Sequence, residues 1–188
     1  MDRRETLKLM MLAAVGSERL GTKLLSAQEP GFASRWHEWP DMHWVGPEYW
    51  GNRLQDWRVT NGVLACSVRA PNRTLHCLTH IAHDADFMTS VDIVRSAGNR
   101  NSVTGFRLGL KGRVDDVRSA AVHGEGLDVG IDGSGLLVIG DRRSDASVGG
   151  DDAVRLETTV TRTGSNTRVD LVARSADTGS ERATFTRD

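Results

Sequence analysis

From Trp57 to the last residue the chain alternates apolar and polar side chains with a period of two, a pattern that buries its apolar groups only as strands. Between Val63 and Val68, residues Leu64, Cys66 and Val68 share one face. From Leu75 to Ile81 the residues Leu75, Cys77, Thr79 and Ile81 lie on one side, with His76, Leu78 and His80 on the other. Phe87, Thr89, Val91 and Ile93 form a third such face, and Thr104, Phe106, Leu108 and Leu110 a fourth. The cleanest runs come late. Val154, Leu156, Thr158 and Val160 alternate with Arg155, Glu157, Thr159 and Thr161, and Val169, Leu171 and Ala173 alternate with Arg168 and Asp170. Turn residues separate the runs at Asn61-Gly62, Pro71-Asn72, Gly98-Asn99, Gly124-Glu125-Gly126, Asp132-Gly133-Ser134-Gly135 and Gly164-Ser165-Asn166. About ten short strands at this spacing predict an all-β fold, an antiparallel β-sandwich or barrel. No proline follows Pro71 to confine later strands to edges, and no strand–helix–strand rhythm points to a doubly wound sheet.

Residues 1–27 read as an address. Arg3-Arg4, Leu7 and Lys8 precede an apolar run from Leu9 to Val15, an arrangement that resembles a twin-arginine export signal. The run is shorter than the roughly 20 residues a membrane-spanning helix needs, so no transmembrane span is expected. An amphipathic N-terminal helix is the other reading. The signal implies an exported protein, periplasmic or extracellular.

Residues 28–56 form a Trp-rich extended segment ahead of a sandwich domain at 57–188. All five tryptophans, Trp36, Trp39, Trp44, Trp50 and Trp57, fall in a short stretch that also contains Pro40 and Pro47. They read either as a cap or docking surface, or as an aromatic platform for a sugar. With 24 Lys and Arg against 25 Asp and Glu, the chain lacks the charge excess of a nucleic-acid binder. Two cysteines, Cys66 and Cys77, are too few for a zinc site. If the strands flanking Asn72 pair, the two thiols become neighbours; a disulfide and two buried free thiols are both open.

The stretch from Trp36 to Arg58, then Asn61-Gly62-Val63-Leu64-Ala65-Cys66, Gly105-Phe106-Arg107-Leu108-Gly109-Leu110, Asp116 to Ala121 and Gly126 to Ile131, carries a family pattern. It resembles the N-terminal region of PhoD-like alkaline phosphatases (metallophosphatases), and the match covers most of residues 36–140. The resemblance implies a concanavalin A-like, or laminin-G-like, jelly roll lying before a phosphatase domain. It also implies that the metal ligands lie beyond Asp188, so that this chain is a fragment of a longer enzyme; a free-standing relative of the sandwich is the alternative. The expected function is then a noncatalytic accessory domain, its partner the downstream phosphatase domain or an envelope glycan polymer. A carbohydrate-binding module or a concanavalin-like glycan hydrolase is the reading from another class.

Fragments of a metallophosphoesterase set occur at Asp41-Met42-His43, His80-Ile81-Ala82-His83, Gly98-Asn99-Arg100 and Gly140-Asp141-Arg142-Arg143-Ser144-Asp145. Arg100 stands where such a site needs His, and the order along the chain is wrong, so no catalytic and no metal-ligating residue is assigned. His76 and His80 share a strand face about 13 Å apart, too far to chelate. Glu125 with Asp128, and Asp115 with Asp116, are the carboxylates a glycosidase would need near turns. No cofactor is expected in this chain, although laminin-G-like sandwiches can bind calcium; Asp132-Gly133-Ser134 and Asp151-Asp152 would be its oxygen donors.

Overall fold

The computed structural model describes residues 31–68, 70–82, 86–94, 102–112, 116–149 and 153–188. Arg3, Arg4, His83, Gly98-Asn99-Arg100, Asp115 and Asp151-Asp152 lie outside the described residues.

The late alternating runs set the architecture. Strand β10 (Val154–Thr163) pairs antiparallel with β11 (Asn166–Ser175) from Val154 opposite Ser175 to Thr163 opposite Asn166. The two-residue loop Gly164-Ser165 closes this hairpin, with Gly164 at φ +63°, the left-handed region that glycine enters without a Cβ clash. Strand β5 (Phe87–Ile93) adds to the free side of β10 and β12 (Glu181–Arg187) to the free side of β11, giving the sheet order β12-β11-β10-β5. The register aligns Val91, Leu156 and Ala173, then Thr89, Thr158 and Leu171, on one face. That face is the apolar set expected from the alternation.

The second sheet is a meander of β6 (Val103–Lys111), β7 (Glu125–Asp132), β8 (Leu136–Ile139) and β9 (Arg142–Ser147). The two four-stranded sheets bury Val129, Ile131, Leu137 and Ile139 from one side against Leu156, Val160, Val169 and Leu171 from the other. The fold is an all-β antiparallel sandwich. Close backbone approach explains two of its glycines. A Cβ at Gly105 would lie 2.3 Å from the Val129 carbonyl oxygen, and one at Gly130 would lie 2.2 Å from that of Thr104. These residues face each other across β6 and β7, where larger side chains would force the strands apart.

Four short strands stand outside the two large sheets. Strand β1 (Tyr49–Gly51) pairs with β4 (Leu75–Cys77), and β2 (Trp57–Thr60) pairs with β3 (Val63–Cys66). Asn61 at φ +52° and Gly62 at φ +74° form the two-residue turn of the β2–β3 hairpin, as the Asn-Gly signal predicts.

Some elements depart from the expectations. The strand expected to run from Leu75 to Ile81 ends at Cys77: Leu78 N–H still donates to the Glu48 carbonyl at 2.8 Å, but the partner chain turns away at Pro47-Glu48, where the Tyr49 amide donates to the Gly46 carbonyl at 3.4 Å. A helix, α1 (Val117–His123), occupies a stretch in which no helical period is visible. Seven residues are too few for a period to register, and the helix is set locally by Asp116, whose side chain accepts the Arg118 amide. Glu125-Gly126, expected as a turn, opens β7.

Replacing Leu171 with Ala should cost about 2–5 kcal/mol, because both sheets enclose the side chain completely. Met88→Ala, at an exposed position, should stay within about 0.5 kcal/mol. Urea-unfolding midpoints of the two variants, at unchanged slope, check the pair.

Candidate functional site

The tryptophan segment builds a small core of its own. Trp36, in a turn of 3-10 helix at Trp36–Glu38, is 4% exposed and packs with Val45, Tyr49 and Val59. Its indole N–H donates to the Val45 carbonyl at 2.9 Å, which satisfies the one polar atom the burial would otherwise strand. Its ring centroid lies 5.2 Å from that of Tyr49. The Tyr49 hydroxyl shares a hydrogen bond with Ser34, and burial pushes its pKa up to about 12 against the lowering effect of that bond. Trp39 and Trp57 are half-buried against the same cluster, and the Trp57 indole N–H donates to the Asn52 carbonyl at 3.1 Å. Trp50 lies opposite His76 across β1 and β4, with ring centroids 5.6 Å apart. Burial, then the charge of Arg107, lowers the His76 pKa. Trp44 is 39% exposed and meets Trp39 edge-on at 77°. The five rings therefore divide between a core and its rim and do not form a flat, coplanar face.

The cysteines belong to separate pairs of strands. The strands flanking Asn72 were expected to pair with each other; instead β3 pairs with β2 and β4 with β1, because each finds its partner in the tryptophan segment or the hairpin next to it. Both thiols are free. The Cys66 thiol is exposed, contrary to the apolar-face expectation, and lies 3.4 Å from the Val68 carbonyl oxygen; the Cys77 sulfur lies 3.6 Å from the Thr79 hydroxyl.

Asp116, Asp128, Asp132 and Asp141 are engaged in structural bonds. Asp132, 2% exposed, accepts the Ser134 amide at 2.8 Å and the Leu136 amide at 3.2 Å on one oxygen, and the Arg143 guanidinium at 3.1 Å on the other. It closes the β7–β8 turn. Burial alone would raise its pKa, but the two amides and Arg143 outweigh that and hold it below the usual value. Asp128 does not flank a turn but sits within β7, where it forms a forked pair with Arg107 at 2.6 and 3.1 Å. Asp116 caps α1, and Asp141 takes Arg187 at 2.6 Å. His76 and His80 do not share a strand, since β4 ends between them; His80 stacks near Phe32 and His76 bonds to Thr74. Among the described residues no three His, Cys, Asp or Glu side chains converge as a metal-holding group.

A further polar face lies beside the aromatic core. Asp41, Met42, His43, Arg58, Val59 and Thr60 line a shallow cleft of about 200 Å³. The Asp41-Met42-His43 segment stands out in the sequence, but its pairing with Arg58 and Thr60 does not, because the partners lie 15 or more residues away with no repeat to link them. Compared with family models, with curated proteins and with solved structures, the chain matches none. Among the described residues no helix is long and apolar enough to cross a membrane.

Replacing Asp132 with Asn should destabilise the protein by about 2–3 kcal/mol at neutral pH, through loss of charge-assisted bonds at a buried site. Because the folded pKa is depressed, that stabilisation is present above the ordinary carboxyl value of 3.8 and is lost as pH falls through the folded value. Wild-type and variant urea midpoints should therefore differ at pH 7 and converge in acid. Equal midpoints at pH 7 would show that the carboxylate does not hold this turn.

Proposed function

We propose that this chain is a noncatalytic β-sandwich domain of an exported PhoD-like alkaline phosphatase. Its work is to pack against the phosphatase domain, carried elsewhere in the polypeptide, or to hold that domain near an envelope glycan or polymeric substrate. The observation that carries the noncatalytic reading is the commitment of Asp116, Asp128, Asp132 and Asp141 to caps, turns and arginine pairs. A carboxylate held this way is not free to move a proton, and those of Asp116, Asp132 and Asp141 are lowered in pKa by their bonds, away from the neutral range a general acid needs. The family part of the reading rests on the resemblance over residues 36–140, and the export part on Arg3-Arg4 and the apolar run after them.

The tryptophan segment supports a docking role over a sugar platform. Trp36 is spent on internal packing, and the exposed ring, Trp44, crosses its neighbour Trp39 at 77°, so these two do not present one flat face to a sugar chain. Trp44 at the rim is the contact surface this reading assigns to the neighbouring domain.

The purified chain should release no phosphate from a generic phosphomonoester or phosphodiester with any added divalent metal. Turnover that survives repurification would overturn the noncatalytic reading. Metal-ligand motifs in the coding sequence downstream of codon 188 are the expected companion result, and an unrelated downstream frame would overturn the family assignment.

A further inference from the structure

The cleft above Val59 has the chemistry of a binding site. Residues 41–43 run antiparallel to β2, with the Met42 amide donating to the Val59 carbonyl at 3.0 Å and the Val59 amide to the Met42 carbonyl at 2.8 Å. This exchange makes Met42 and Val59 a hydrogen-bonded pair. It puts His43 opposite Arg58, and Asp41 opposite Thr60, at the flanking positions where antiparallel side chains approach most closely. Met42 and Val59 turn inward to the aromatic core, so the four polar residues share the outward face.

Their pairing is unequal. One Asp41 oxygen accepts the Thr60 hydroxyl at 3.0 Å and the other the Asn61 amide at 2.8 Å. Several arginines on other strands meet carboxylates: Arg107 with Asp128, Arg155 with Asp92, Arg168 with Asp170, Arg174 with Glu157 and Arg187 with Asp141. Arg58 faces His43 instead, and among the described residues neither has an ion-pair partner. A guanidinium fork opposite an imidazole, neither of them in an ion pair, is a donor set lacking its acceptor.

We propose that this cleft binds an oxyanion, a carboxylate or phosphate group, held by the Arg58 guanidinium with a ring N–H of His43 as the second donor. Arg58 makes the forked, charge-assisted contact that both anions accept, and His43 fixes the anion's position from the opposite strand. The site does not depend on the accessory-domain reading.

The test is a titration of the isotopically labelled full chain with sodium phosphate, and separately with sodium acetate, followed by amide NMR at constant ionic strength in chloride. Saturable shifts confined to residues 41–44 and 58–60 are expected with at least one anion, and the one that binds more tightly identifies the ligand class. Arg58→Gln should weaken that binding about tenfold or more, and His43→Gln several-fold. Arg53→Gln, a nearby exposed arginine outside the cleft, should leave it unchanged. Scattered or absent shifts, or binding indifferent to Arg58→Gln, would overturn the proposal. If Arg58→Gln alters the folded spectrum, His43→Gln on the opposite segment decides the question in its place.

Discussion

The register between β10 and β11 is the constraint on which the sandwich depends. A slip of one residue would move Val154, Leu156, Thr158 and Val160 to the solvent face and bring Arg155 and Glu157 into the core. The loop Gly164-Ser165 sets that register locally, and burial against β8 enforces it from outside. Strands β5 and β12 then inherit it, because each pairs with a strand whose inward face is already chosen.

The outer face of the same sheet answers a different demand. Arg155 meets Asp92 across the strands at 2.6 and 2.7 Å, Arg174 meets Glu157 at 2.9 Å, and Thr186 donates to Asp170 at 2.6 Å. Such cross-strand pairs support the registry already selected by the core, each with a modest energy, and leave few charges on that face without a neighbour. Arg58 and His43, opposite each other beside the second core, have no ion-pair partner among the described residues.

The tryptophan segment and β1 to β4 make a second core, separate from that of the sandwich. Its organisation comes from long connections: Met42 reaches Val59, Tyr49 reaches Cys77, and Arg73 reaches Asp56 at 2.7 Å. The dense aromatics signalled burial in advance, since side chains of this size stabilise chiefly by leaving water. Which ring would be enclosed, and which would stay at the rim, depended on these contacts. The candidate site was half legible for the same reason. Asp41 and His43 stand out as chemistry-bearing residues close together in sequence, but Arg58 and Thr60 look like ordinary polar positions of a strand until the register places them opposite.

By itself, the sequence determined the all-β class, the inward faces of β5, β10 and β11, and the Asn-Gly and Gly-Ser turns, because alternation and left-handed turn residues act over a few neighbouring positions. Tertiary structure alone decided that β3 and β4 would pair away from each other, that β4 would stop where its partner chain turns away at Pro47-Glu48, and that Asp132 and Asp128 would be bound by arginines. Those outcomes turn on which distant strand supplies the facing hydrogen-bond donors and charges, and no local pattern carries that choice.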